Sequence, residues 1–381
     1  MRRPISTAGS SDWHLCAPGL SEQMNQNLRD PGAQECGKAQ RKIRSAQEER
    51  TMENSWHYHS FNEEMQRRFG GKVYKLSLSS GCSCPNRDGS IGRGGCIFCS
   101  AGGSGEFAAP AALPLAAQLA AAKALVREKK SKNFAGYLAY FQSYTNTYGS
   151  VERLRPLFEE ALAQPEVLGL SVGTRPDCLP PDIVEMLAAC GRKKPVFVEL
   201  GLQTMHEDTA GCIRRGYALP VFEDAFRRLK RAGLAVVVHV IIGLPGEDAA
   251  RTEETVRYLA GLTENGQHID GIKLQLLHIL KGTDLAVHWA RQQAGEPSPF
   301  PQIPVYGLAE YVELLGRLIE ILPEEITIHR LTGDAPKRLL IAPAWTADKK
   351  RVLNFINTYF NKQEIRQGNR DKSQALNETY T

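Results

Sequence analysis

The sequence predicts an α/β protein: a partial (β/α)6 barrel of parallel strands, a small C-terminal α/β element and a disordered N-terminal extension. Three observations carry this. From residue 72 onward, short apolar runs rich in β-branched residues alternate with longer amphipathic stretches. Such alternation implies parallel strands joined by right-handed crossovers. Residues 1–54 are instead rich in Ser, Gln, Asn, Arg and Glu, with no sustained period, and cannot bury enough surface to offset the entropy of ordering. Alternation alone would serve a doubly wound sheet equally well.

The predicted strands are residues 73–78, 134–141, 168–172, 196–200, 235–242 and 271–277, with helices at 115–128, 151–163, 181–189, 220–232 and 249–263. In the second helix Leu154, Leu157, Phe158 and Leu162 recur at i, i+3, i+4 and i+8, the spacing of one apolar stripe. A loop rich in Pro and Gln at 292–304 separates the barrel, 55–297, from the C-terminal element, 298–362. That element carries a helix at 308–321, a strand at 325–330 and a helix near 349–360, before a polar tail at 363–381. The extension 1–54 is expected to be disordered or to precede a true start at Met52.

The 381 residues, 42% hydrophobic, suffice for a sizeable core. No apolar run reaches the roughly 20 residues that span a bilayer. The longest, 234–244, carries His239 and leads into Gly243-Leu244-Pro245-Gly246, as a buried strand would. A net charge of +5, with basic clusters at 127–132 and 349–351, does not by itself indicate a nucleic-acid face. The chain opens Met1-Arg2-Arg3 without an apolar leader, and its nine cysteines are an odd number. A cytoplasmic, reducing setting is expected, where clustered cysteines indicate metal rather than disulfides.

The cluster is Gly81-Cys82-Ser83-Cys84-Pro85-Asn86-Arg87-Asp88-Gly89, then Gly94-Gly95-Cys96-Ile97-Phe98-Cys99, directly after the first strand. A two-residue spacer lets Cys96 and Cys99 turn to one metal centre, and the glycines let backbone wrap it closely. Three readings compete: a zinc site that adds Cys82, an electron-transfer cluster with four thiolates, and a [4Fe–4S] cluster on Cys84, Cys96 and Cys99. In the last, one open iron binds S-adenosylmethionine (SAM), which is cleaved to a 5′-deoxyadenosyl radical. The zinc or iron–sulfur alternatives would make a non-catalytic binding protein. A SAM site needs polar groups at the C-terminal ends of several parallel strands, where α/β barrels place ligands. They are present at Gln142-Ser143-Tyr144-Thr145-Asn146-Thr147, Gly173-Thr174-Arg175-Pro176-Asp177, Glu199 with Gly201-Leu202-Gln203-Thr204, Gly243-Leu244-Pro245-Gly246-Glu247, and Gln275-Leu276-Leu277-His278.

At these residues the chain resembles the radical SAM superfamily, and within it the YhcC/YtqA-type family related to the radical SAM domain of the Elongator catalytic subunit. The match is carried by Cys84-Pro85-Asn86-Arg87-Asp88-Gly89, Gly94-Gly95-Cys96-Ile97-Phe98-Cys99, the run from Tyr140 to Tyr148, Thr174-Arg175-Pro176-Asp177, Glu199-Leu200-Gly201-Leu202-Gln203 and Gly243-Leu244-Pro245-Gly246-Glu247. It spans Trp56 to Phe360.

The resemblance implies a TIM-like barrel and a cluster on Cys84, Cys96 and Cys99, with Cys82 outside the set. It places Phe98 near the adenine. Gln142, Ser143, Thr145 and Asn146 take the place of the motif that meets the SAM amino group. It offers Glu199 and Gln203 as polar contacts to SAM or substrate, Arg175 as a carboxylate fork, and the backbone of Gly243, Leu244 and Gly246 as a wall near adenine. The structural alternatives are that Arg175 pairs only with Asp177 and that His239 is a satisfied core histidine. Glu199 within an apolar strand needs a partner on any reading. Ile328-His329-Arg330-Leu331-Thr332-Gly333-Asp334 would belong to a small domain that caps the barrel mouth or binds substrate. The implied partners are SAM, a reducing flavodoxin or ferredoxin, and an unidentified substrate for which RNA is one candidate; neither a membrane nor acetyl transfer is expected.

Overall fold

The computed structural model describes residues 57–103, 105–127 and 130–369. The expected extension 1–54, with Cys16 and Cys36, and the tail from residue 370 lie outside the described residues. The elements begin with α1 (Phe61–Phe69), β1 (Lys72–Leu78), α2 (Pro85–Asp88), α3 (Leu115–Arg127), β2 (Phe134–Phe141), α4 (Val151–Ala163) and β3 (Val167–Thr174). They continue with α5 (Pro181–Gly191), β4 (Val196–Gln203), α6 (Glu207–Cys212), α7 (Leu219–Arg231), β5 (Ala235–Ile242), α8 (Ala249–Gly261) and β6 (Gly271–Leu276). The last are β7 (Ile279–Leu280), α9 (Asp284–Gln293), α10 (Leu308–Ile321), β8 (Thr327–Arg330), β9 (Leu340–Ala342) and α11 (Lys349–Lys362).

Seven strands form one sheet in the order β1-β2-β3-β4-β5-β6-β8, and every pairing is parallel. A doubly wound sheet would reverse its strand order at a switch point; here the order never reverses, as in a partial barrel. The six predicted strands are all present. The seventh, β8, was expected in the C-terminal element and instead extends the barrel sheet, with Thr327 opposite Gly271. Strands β7 and β9 form a separate antiparallel pair.

Parallel strands covered on both faces read as nearly continuous apolar runs, and β2 is buried from Gly136 to Phe141. Outside the sheet, Phe141 packs with Leu154 and Phe158 of α4, and Phe222, Phe226 and Leu229 of α7 enter the same core. Of the predicted α4 stripe, Leu154, Phe158 and Leu162 are buried and Leu157 packs at the edge. Among the described residues no helix is long and apolar enough to cross a membrane.

Alternate strand residues face the lumen, which gives it layers. At the N-terminal ends of the strands, Val73, Leu138, Phe197 and Val237 form an apolar layer around Met65 of α1. This helix is held by a capping box between Ser60 and Glu63. Two residues further along the same strands stand Lys75, Tyr140, Glu199 and His239. The fold therefore closes one end of the barrel with oil and lines the next layer with charge. Met65→Ala, which empties the plug, is expected to cost about 2–5 kcal/mol in chemical denaturation, whereas Gln66→Ala on the exposed side of the same helix should stay within about 0.5 kcal/mol.

Candidate active site

A cavity of about 480 Å³ opens above the charged layer. Its wall includes the cysteine loop. That loop begins with α2, a single turn with Pro85 in its first position, and ends at Gly89 in a left-handed conformation. Asn86 Nδ2 donates to the Arg214 carbonyl at 2.6 Å and lies 3.6 Å from Cys96 Sγ. Arg87 Nη2 donates to the carbonyls of Cys99, at 2.8 Å, and Ser100, at 2.5 Å. These two side chains explain two of the glycines. A Cβ on Gly92 would collide with Asn86 Oδ1, and one on Gly95 would sit 2.8 Å from Arg87 Nε.

Cys84, Cys96 and Cys99 all line the cavity, and all are free thiols. Burial, then the charge of Cys99, pushes the Cys96 thiol up to about 12; Cys84 adds to this. Burial also raises Cys99, against the pull of Arg87. Thiols that feel one another in this way suit a shared metal centre, whose own positive charge would deprotonate them. Cys82 is separate: it is buried in the main core, and its Sγ faces Gly149. With Cys82 turned into the core, the thiols that share the cavity are three among the described residues, the ligand number of a cluster with one open iron rather than of a closed four-ligand zinc.

The charged layer centres on Glu199, whose side chain is fully buried. Its Oε1 accepts from Lys75 Nζ at 2.7 Å and from Ser171 Oγ at 2.5 Å. Its Oε2 pairs with Lys273 Nζ and, at 2.9 Å, with His239 Nε2. Lys273 also donates to Tyr140 OH at 3.1 Å. Burial alone would raise the Glu199 carboxyl, but Lys273 and Lys75 overcome it and hold the group well below the usual carboxylate range. Burial pushes Lys273 down to about 7, against the attraction of Glu199. It pushes His239 down to about 4, with Lys273 acting in the same direction.

Phe98, Gln142, Thr145, Arg175, Glu199 and Gln203 line the cavity with the three cysteines; Ser143, Asn146, Gly243, Leu244 and Gly246 are not among its lining residues. Asn146 is wholly buried and ties three strand ends together: it accepts from Ser80 Oγ at 2.8 Å and donates to the Gly173 carbonyl at 2.9 Å. Ser143 lies under Gly105, where a Cβ would strike it. Gly243 faces Tyr306, and Gly246 lies against Pro301, so this loop packs beneath the 292–304 segment; Leu244 joins Ile97, Leu285 and Ile303 in a second apolar cluster. Arg175 forks onto Asp177, at 2.9 and 2.8 Å, and its third nitrogen donates to the Arg215 carbonyl at 2.9 Å. Sequence reasoning missed Lys75, Lys273, Tyr140 and Arg330 as cavity residues. The first two were findable: a charge at an inward position of an apolar strand is the same signal that singled out Glu199.

The sequence and the fold are shared with known proteins. The family model of the Radical SAM superfamily matches residues 84–259, and that of the Radical_SAM C-terminal domain matches residues 269–362. The chain is 40% identical over 311 residues to the uncharacterized protein YtqA of Bacillus subtilis, covering 82% of this chain and 92% of YtqA. It is 38% identical over 308 residues to protein YhcC of Escherichia coli, covering 80% and 93%. Its fold is like that of the archaeal Elp3 of Methanocaldococcus infernus, with a TM-score of 0.54 at 16% identity, over 77% of this chain and 64% of that one.

Removing one partner of a buried ion network leaves uncompensated charge, so Glu199→Ala is expected to cost about 3–5 kcal/mol in urea denaturation. Because the folded protein lowers the Glu199 pKa, its contribution is complete above the unfolded value, near about 4.3, and is lost as pH falls toward the folded one. The stability gap between wild type and Glu199→Gln should therefore narrow below about pH 4; a gap independent of pH would mean that the network is not held by charge.

Proposed function

Because the chain belongs to the radical SAM superfamily, with YtqA and YhcC among its relatives, and is an enzyme of that superfamily, we propose that it reductively cleaves SAM to abstract hydrogen from a substrate held in the barrel. The observation that carries this is the sharing of one cavity by the thiols of Cys84, Cys96 and Cys99 and the polar ends of β2 and β4. The [4Fe–4S] cluster, when bound on these thiols, supplies the electron that breaks the SAM sulfonium and so yields a 5′-deoxyadenosyl radical.

The chain's own residues position and enclose. Asn86 ties the cysteine loop to the Arg214 carbonyl, and Arg87 closes the loop on itself through the carbonyls of Cys99 and Ser100. Phe98 offers an apolar face to the adenine, and Gln142 and Thr145 offer polar contacts to the amino-acid part of SAM. Ser143 and Asn146 hold the turn that presents them, and the loop of Gly243, Leu244 and Gly246 backs the adenine side. Gln203 faces the same space. Its backbone has φ +67°, a strained choice for a non-glycine residue. The plug at Met65 keeps water from entering below. A flavodoxin or ferredoxin in the cytoplasm would deliver the electron. RNA is the substrate class to test first, given the kinship with the Elongator branch.

Anaerobic reconstitution with iron and sulfide, then dithionite and SAM, should produce 5′-deoxyadenosine. Cys84→Ala, Cys96→Ala and Cys99→Ala should each abolish it, and Cys82→Ala should retain it. A colourless, air-indifferent protein with one tightly held zinc and no nucleoside product would make the cysteine loop a structural element instead. For RNA, affinity should fall steeply with added salt as phosphate contacts release counterions; weak binding with a flat salt dependence would remove RNA.

A further inference from the structure

We propose that the charged layer at the bottom of the cavity is a subsite for an oxyanion, a carboxylate or phosphate group carried by the substrate, held by Lys75 and Lys273 with Arg330 on the adjoining wall. The proposal rests on the reading of the cavity mouth as the place of SAM, which leaves the floor for the substrate.

Charge does not balance on this floor. Lys75, Lys273 and Arg330 line the cavity, and the carboxylates beside them are Glu199 and Asp334. Glu199 is divided between both lysines. Asp334 is divided between Arg330, at 3.3 Å, and Lys349, at 2.7 Å. His239 and His278 add no charge of either sign, since burial pushes each down to about 4 and keeps both rings neutral near pH 7. Holding all three cations in this enclosed space is costly, and the lowering of Lys273 to about 7 shows that cost; an anion beside the lysines would restore the ammonium form and complete the charge.

The donors are also in place. An ammonium has three hydrogens. Lys273 uses two, on Glu199 and Tyr140; among the described residues Lys75 has one short hydrogen bond, to Glu199, a long 3.5 Å contact to Ser171, and otherwise only the ring faces of Phe61 and Tyr140, at 4.8 and 4.7 Å. On the same wall, His278 Nε2 is buried without a hydrogen-bond partner. The apolar plug around Met65 closes the barrel beneath, so an anion reaches the lysines only from the mouth. A substrate thus enters with its anionic end leading. Its next atoms stand one layer higher, beside Gln142 and Gln275, roughly 7 Å along the strands toward the cysteine loop. That is where a hydrogen-bearing carbon is needed.

The test is isothermal calorimetry of the anaerobically reconstituted full chain with acetate and, separately, inorganic phosphate, at ionic strength fixed with chloride. Saturable binding of at least one anion is expected; acetate alone identifies a carboxylate, phosphate alone a phosphate group. Lys75→Gln and Lys273→Gln should each weaken binding at least tenfold, and Lys75→Arg should keep it within a few fold. Each glutamine variant leaves Glu199 one lysine, so one can stand in for the other if either fails to fold. No saturable binding to the wild type, or unchanged binding in both folded variants, overturns the subsite. Measuring 5′-deoxyadenosine in the same preparations separates the two ideas. Anion binding without nucleoside would sink the cofactor chemistry and leave the subsite standing, and nucleoside without anion binding would do the reverse.

Discussion

The interior of this barrel is organised by one buried carboxylate. Glu199 sits in the middle of β4, where an unpaired charge could not be tolerated. Its partners come from β1, β3, β5 and β6: Lys75, Ser171, His239 and Lys273. A partial barrel has two free sides, and its first and sixth strands are not neighbours in the sheet. The network joins them across the lumen. It also fixes how deep a ligand can go, because apolar side chains begin immediately beneath it. The stability contributed here is electrostatic and geometric together. Hydrophobic replacement of the whole network could fold equally well, but it would erase the floor of the cavity.

The upper wall is built on a different device, arginines that satisfy carbonyl oxygens. Arg215 is almost fully buried and donates to the carbonyls of Thr204, at 2.6 Å, and Leu202, at 3.2 Å. Its own carbonyl receives Arg175, and the carbonyl of neighbouring Arg214 receives Asn86. Arg87 repeats the pattern on Cys99 and Ser100. The end of β4 is thereby linked, bond by bond, to the loop that carries the thiols. Loops at the mouth of a barrel have little core of their own, and this chain of charge-assisted bonds gives the cysteine loop a fixed place over the strands. Arg175 belongs to the same wall, with its fork on Asp177 and its third nitrogen on the Arg215 carbonyl.

Periodicity made the six strands and the main helices readable, because a parallel sheet covered on both faces writes long apolar runs. It could not show that β8 would pair with β6, since a four-residue strand far along the chain has no local mark of its neighbour. At the site, the thiols and Glu199 were readable for a physical reason: cysteines at metal-ligand spacing among glycines, and a charge within an apolar strand, are both uncommon without a purpose. Asn146, Ser143 and the Gly243-Leu244-Pro245-Gly246 turn were harder. Their residue types suit ligand contact and structural hydrogen bonding equally, and only three-dimensional placement separates the two. Lys75 and Lys273 were hidden by habit, because lysine is so often at the surface that its inward parity passes unnoticed.

A hydrogen-abstracting enzyme must do two things in one cavity that pull against each other. It must hold a reactive group where water cannot reach it, and it must hold the substrate so that one chosen carbon faces that group, since rates depend steeply on such positioning. The layering divides these tasks by depth. The cysteine loop and the strand ends occupy the mouth, and the ionic floor lies a layer below, sealed by α1. Anchoring a substrate by a charged end against a rigid floor fixes its reach along the barrel axis, so the height of the reacting carbon is set by bond lengths within the substrate rather than by a mobile lid. On the reading proposed above, specificity would reside in the floor and the chemistry in the loop. The two are joined through β4, whose Glu199 orders the lysines below and whose C-terminal end, at Leu202 and Thr204, anchors the arginine wall above.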